Sequence, residues 1–194
     1  SFVAGGGQIV TEEAYLQKDT DFKAVLTKIK AANPEVIYAP GYYEEIGKIV
    51  KQARELGINV PFVGGDGWDS PKMQEIAGNE ALNNTFFTNH YSADADTPES
   101  KAFVSAYEKE YKQRPDACGV LGYDGMKLMA DAISRAGAVD SAKISAALAA
   151  TKNFKAVTGE TSLNDKHDAV KSAVIIEFKD GKQAFRATVK PWFN

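Results

Sequence analysis

Two short clusters hold the residues of this chain best suited to chemistry. Gly41-Tyr42-Tyr43 follows the apolar run EVIYAP, and Gly64-Gly65-Asp66-Gly67-Trp68 follows the apolar run NVPFV. A carboxylate accepts charge-assisted hydrogen bonds from an amine, and an aromatic ring adds a contact through its face or its hydroxyl. Together they suit an ammonium group carried on an apolar body. The glycines around Asp66 let a backbone approach a bound molecule closely and give the carboxylate room. The competing reading makes Asp66 a turn former in a Gly-rich loop and Tyr42 a half-buried packing residue at a strand end. The residue types leave both open.

The remaining inventory narrows the chemistry. Cys118 is the only cysteine, which excludes an internal disulfide and any multi-cysteine metal site. His90 and His167 are far apart and lack metal-ligand spacing, so no metal is expected, and no cofactor is called for. Tyr42 and Asp66 could act as acid and base, but there is no nucleophile elbow, no phosphate-binding glycine loop opening a helix, and no acid–histidine set. An enzyme is the reading the residues support least. A net charge of -3 with mixed signs gives no reason to expect nucleic acid or an anionic membrane as partner. No apolar run approaches the roughly 20 residues needed to span a bilayer.

The elements that must position the two clusters follow from periodicity. In DTDFKAVLTKIKAANP, Phe22, Val25, Leu26 and Ile29 fall on one helical face, with Asp19 or Thr20 as cap and Pro34 as stop. EVIYAP reads as a strand covered on both faces. EEIGKIVKQAREL is a helix with Ile46, Ile49, Val50 and Ala53 on one face and Gly57 as its stop, and NVPFVGG is the next buried strand. PKMQEIAG is a short helix and TFFTNHY a further strand. This order predicts a parallel sheet with right-handed crossovers. Two successive parallel strands commonly lie ~4.8 Å apart, and ligands of open α/β sheets sit at the carboxyl ends of strands, so the clusters should meet.

Beyond Tyr91 the chain turns polar in SADADTPES, a plausible hinge. A helix opens at Thr97-Pro98, with Phe103, Tyr107 and Tyr111 as a packing stripe. DACGVLGYDGMKLMADAISRAG is a long helix ending at Gly137, SAKISAALAAT is another, and Asp165, His167 and Asp168 form a solvated turn. The tail holds two β runs around Lys179-Asp180-Gly181-Lys182, a hairpin signal. At the start, SFVAGGG reads as the end of a helix and QIVTEEAYL as a strand. An α/β unit normally opens on a strand, so this start hints at a fragment.

The ordered run DTDFKAVLTKIKAANPEVIYAPGYYEEIGKIVKQARELGINVPFVGGDGWDSPKMQEIAG resembles the type I periplasmic binding proteins of branched-chain amino acid ABC transporters, the leucine/isoleucine/valine-binding family above all. PESKAFVSAYEKEYKQRPDACGVLGYDGMKLMADAI and GETSLNDKHDAVKSAVIIEFKDGK continue the likeness, which covers essentially the whole chain. The resemblance implies an α/β fold: a Rossmann-like parallel-sheet lobe with helices of a partner lobe, as the C-terminal half of a longer protein. Residues 1–91 would be the incomplete C-terminal lobe, 92–171 helices and a turn of the N-terminal lobe, and 172–194 a returning β hairpin.

The resemblance also implies roles. Tyr42 matches a tyrosine that contacts the bound amino acid, and Asp66 matches the acid that holds its α-ammonium. Trp68 falls where a side chain could close over the ligand. Cys118 aligns, within one residue, with a position that touches the ligand side chain, although by its residue type a buried structural thiol is the stronger reading. The implied function is capture of a branched-chain or other apolar amino acid and delivery to a membrane permease, from the periplasm or a lipid-anchored extracellular position. An amide or amino acid sensor is the alternative. The residues that would hold the ligand carboxylate lie outside the chain, and a half of this kind is expected to self-associate or exchange segments.

Overall fold

The computed structural model describes residues 2–95 and 97–191. The chain divides into two compact units, Ser1–Phe87 with Glu177–Ala184, and Thr88–Ile176 with Phe185–Asn194. Helices α1 (Lys23–Ala31), α2 (Tyr43–Glu55) and α3 (Pro71–Ala77) alternate with strands β1 (Ile37–Tyr38), β2 (Phe62–Gly64) and β3 (Thr85–Asn89). Helices α4 (Pro98–Tyr111), α5 (Ala117–Ala136) and α6 (Ser141–Ala149) follow. After them come β4 (Phe154–Ala156), β5 (Gly159–Leu163), β6 (Ala169–Val170), β7 (Ala173–Lys179) and β8 (Lys182–Val189). One sheet runs in the order β1-β2-β3-β7-β8, and a smaller one in the order β4-β5-β6. The pairs β1–β2 and β2–β3 are parallel, with Tyr38 opposite Val63 and Val63 opposite Phe86. The architecture is the α/β one that the alternating pattern predicts.

The first unit is built on the helical faces that periodicity picks out. Ile46, Ile49, Val50 and Ala53 of α2 are all buried, as are Phe22 and Leu26 beside α1. Phe62, Phe87, Phe178 and Trp68 fill the core, with ring centroids 6.1 Å apart for Trp68–Phe87 and 5.5 Å for Phe87–Phe178. At the amino ends of β2 and β3, the Arg54 guanidinium donates to the carbonyls of Ile58, Val60, Ala81 and Asn83. One side chain thus satisfies four acceptors that the strand ends leave over. Asp180 and Gly181 both take positive φ, at 50° and 73°, which is the two-residue turn the Asp-Gly signal calls for.

Three expectations for this unit need correction. Helix α1 starts at Lys23 behind Phe22 and is capped by neither Asp19 nor Thr20: Asp19 accepts the Leu16 amide at 2.9 Å in a turn of its own, and the Lys23 amide donates to Asp21 at 3.0 Å. Strand β1 is covered on one face only: Ile37 and Ala39 are buried, while Tyr38 is 68% exposed and Val36 39%. Residues 7–16 form no strand, since no described strand pairs with them, and Val3–Gly5 is a single 3-10 turn.

In the second unit, α4, α5 and α6 are capped by Thr97, Asp116 and Asp140, whose side chains accept the amides of Ser100, Gly119 and Lys143. This pattern is the standard way to satisfy the first orphan N–H groups of a helix. Phe103, Tyr107 and Tyr111 do stack along α4, with centroids 5.6 and 4.6 Å apart, and Phe103 meets Tyr123 of α5 at 4.8 Å. The buried Asp124 carboxylate of α5 accepts the amides of Val157 and Thr158, both at 2.9 Å, and so pins the β4–β5 turn to the helix.

Removing that carboxylate leaves two amides without acceptors. Asp124→Ala should cost about 2–4 kcal/mol of stability, and Asp124→Asn, which keeps one acceptor, less; denaturant midpoints measure both. Burial pushes the Lys171 ammonium down to about 8 from 10.5, with Asp124 partly opposing the shift. The folded pKa lies below the unfolded one, so the unfolded chain binds more protons between these pH values, and stability rises with pH through that window. Below about 8 both states are protonated and the contribution is flat. The rise should disappear in Lys171→Met, which is read by comparing urea midpoints of the two proteins at neutral and alkaline pH.

Candidate functional site

The carboxyl ends of β1 and β2 lead into two loops that touch. After β1, the amide of Ala39 donates to the Val63 carbonyl at 2.9 Å and closes the ladder. The chain then passes through Pro40 and Gly41 to Tyr42, which precedes the first turn of α2 with extended backbone, φ −106° and ψ 159°. Gly41 has φ 144°, a conformation that side-chain-bearing residues rarely adopt, and a Cβ there would lie 2.0 Å from the Tyr15 hydroxyl oxygen. Tyr15 uses that hydroxyl to donate to the Pro40 carbonyl at 2.7 Å. Leaving the loop in this way, the Tyr42 side chain is 66% exposed.

After β2, Asp66–Trp68 forms one turn of 3-10 helix behind the extended Gly65. The Asp66 side chain stands on this turn in an exposed residue. Trp68 folds back under the strand: a Cβ on Gly64 would lie 2.2 Å from its indole, whose Nε1 donates to the Ala39 carbonyl at 3.2 Å. Gly67 faces the first loop so closely that a Cβ would lie 2.5 Å from the Gly41 carbonyl oxygen and 3.1 Å from Cδ1 of Tyr42. The two clusters are therefore one surface. Its polar equipment is an exposed phenol and an exposed carboxylate, positioned on glycines that permit the contact.

The four residues singled out from the sequence fare differently. Tyr42 and Asp66 are brought to adjoining loops of the first unit. Trp68 is corrected: it is completely buried, packs on Phe87, and forms the floor of the Asp66 loop, so it is not a side chain free to close over a ligand. Indole area of this size is worth more in a core than in water, and the Ala39 carbonyl satisfies its one donor. Cys118 belongs to the second unit, as the second residue of α5, and its thiol is exposed, which corrects the expectation of a buried structural cysteine. Tyr15 is not singled out by the sequence reading, and Gly67 enters it only as a glycine that gives a bound molecule room, not as the point where the two loops touch. The density of glycine around Asp66 signals Gly67, and nothing in the local sequence signals a tyrosine 25 residues upstream of its acceptor.

Among the described residues no group of three or more His, Cys, Asp or Glu could hold a metal ion, and no helix is long and apolar enough to cross a membrane.

Comparison with known proteins places the chain in a family. The family model described as "Periplasmic binding protein" matches residues 1–183. The leucine-, isoleucine-, valine-, threonine- and alanine-binding protein of Pseudomonas aeruginosa is 30% identical over 186 residues, covering 95% of this chain and 48% of that protein. The crystal structure of a leucine binding protein from Thermotoga maritima aligns with a TM-score of 0.91 and 39% identity, over 98% of this chain and 54% of that one. A branched-chain amino acid transporter substrate binding protein from Streptococcus pneumoniae, solved in complex with isoleucine, aligns with a TM-score of 0.86 and 41% identity, over 95% of this chain and 53% of that one. The chain thus spans about half the length of the relatives it matches. These relatives are substrate-binding proteins rather than enzymes, and this chain belongs to the periplasmic binding protein family.

Proposed function

We propose that this chain supplies the amine-facing part of an amino acid site in the substrate-binding component of an ABC importer. The single observation that carries the reading is the abutment of the Gly41–Tyr42 and Asp66–Trp68 loops at the carboxyl edge of two parallel strands. An α-ammonium offers three N–H donors on a small positive centre. Asp66 supplies the carboxylate that accepts them, and Tyr42 supplies a ring and a hydroxyl beside it. The preferred ligand is a branched-chain or other apolar amino acid, in keeping with the isoleucine and leucine named for its relatives.

In this reading residues 1–91 and 172–194 form one lobe, and residues 92–171 supply helices to its partner. The remainder of the partner lobe binds the ligand carboxylate. Cys118 adds a contact to the ligand side chain from α5. A hinge at Asn89–Asp94 closes the lobes, and closure removes water and so strengthens the Asp66–ammonium attraction. The closed protein works in the periplasm, or lipid-anchored outside the cell, and delivers its amino acid to the permease.

Calorimetry on the complete protein tests the assignment. A charge-assisted hydrogen bond is worth about 1.5–3 kcal/mol, so Asp66→Ala should weaken leucine, isoleucine or valine binding about 10- to 100-fold. A deaminated analogue such as 4-methylpentanoate should bind the parent more weakly than leucine and be indifferent to the substitution. Undiminished leucine affinity would sink the role of Asp66. Gly67→Ala tests the abutment separately: its Cβ would meet the Gly41 carbonyl oxygen at 2.5 Å and force the loops apart. Binding should weaken although Asp66 and Tyr42 are both present.

A further inference from the structure

We propose that Tyr15 is a positioning residue for the ligand-binding loop, latching the Pro40–Gly41 peptide through its hydroxyl and thereby fixing where Tyr42 leaves the sheet; this deepens the amino acid reading and rests on it. The backbone between β1 and α2 has few groups with which to hold itself. The amide of Ala39 is spent on Val63, the carbonyl of Ala39 accepts from Trp68, and Pro40 has no N–H. The Pro40 carbonyl is the next group along, and its orientation sets the plane of the peptide that enters Gly41. The Tyr15 hydroxyl donates to that oxygen at 2.7 Å. Gly41 holds φ 144° directly against the same hydroxyl, so glycine and tyrosine fit each other at this point.

Tyr15 sits on a strap that is itself held in place. Its ring meets Phe22 edge-on, with centroids 5.7 Å apart and planes at 87°, and Phe22 is buried. The amide of Phe22 donates to Oε1 of Gln52 at 2.7 Å, while Nε2 of Gln52 donates to the Thr20 carbonyl at 2.8 Å, which binds this strap to α2. On the other side the chain makes a tight turn. The Leu16 amide donates to Asp19, the Asp19 amide returns to the Leu16 carbonyl, and Lys18 sits at φ 74°. The Lys18 amide then donates at 2.8 Å to Oε1 of Glu45, a buried carboxylate in the first turn of α2. A negative group suits that helix end. The strap 15–22 therefore grips α2 in its first turn through Glu45 and near its other end through Gln52, and it reaches the ligand loop through the Tyr15 hydroxyl. Burial, and after it the Glu45 carboxylate, raise the Tyr15 pKa above 10.0, so the hydroxyl keeps the proton that it donates.

The test uses Tyr15→Phe, which keeps the ring on Phe22 and removes only the donor. In the complete protein labelled with 15N at glycine and tyrosine, the backbone order parameters of Gly41 and Tyr42 are measured in parent and variant, together with leucine affinity and thermal midpoint. The latch predicts a fall of both order parameters from about 0.85 to below about 0.6. It also predicts a leucine Kd raised about tenfold through lost preorganisation, with little change in the thermal midpoint. Unchanged order parameters would overturn the proposal, and so would loosened residues 41–42 with leucine affinity intact. If the parent binds no amino acid, the functional reading fails, and the order parameters alone decide the latch.

Discussion

The contact between the two strand-end loops depends on the backbone more than on any side chain. Parallel pairing of β1 and β2 brings their carboxyl ends level, with Tyr38 opposite Val63. From there the loops can touch only if no Cβ stands between Gly67 and the Gly41 carbonyl. The Trp68 indole then closes the arrangement from beneath by donating to the Ala39 carbonyl. Everything the proposed site needs follows from this contact. Tyr42 follows a strand end by a short connection and Asp66 stands on a single 3-10 turn, so neither is carried on a long loop.

The burial of Trp68 shows how one residue serves position instead of contact. Its side chain is fully buried, as is that of Phe87 beside it. A tryptophan with its donor satisfied gains more by filling a core than by standing in water over a ligand. The consequence for Asp66 is mechanical: the turn bearing the carboxylate has a solid floor. Gln183 adds a second tie, donating to Asp69 at 3.0 Å just past the turn. The turn that bears the carboxylate is thereby tied both to the end of β1 and to β8.

Much of this was legible in the residues. The faces of α1 and α2, the strands that follow, the Asp-Gly hairpin and the edge where Tyr42 and Asp66 meet all follow from periodicity and turn chemistry, because each is decided by local preference and one-sided burial. What was not legible depends on distant partners. Residues 7–16 have a strand-like pattern, yet a strand exists only where another pairs with it. The small β4-β5-β6 sheet has no clear sequence signal because its strands are short and the turn between β4 and β5 is held by the Asp124 carboxylate reaching from α5. Trp68 and Tyr15 share that character. Their roles are fixed by the Ala39 and Pro40 carbonyls, 29 and 25 residues away, and no window of sequence contains both partners.

Three carboxylates of this chain make the distinction between structure and function physical. Glu45 and Asp124 are buried, and each accepts backbone amides: Lys18 for the first, Val157 and Thr158 for the second. A charge taken out of water must find such donors within the chain, so these two organise segments far apart in sequence. Asp66 differs in being exposed, on a turn flanked by Gly65 and Gly67. Its residue lies at the surface, where water reaches it and the full desolvation penalty of a buried charge does not arise. In the proposed reading, an ammonium on an apolar body, displacing water as the site closes, would be the shared partner of Asp66 and Tyr42.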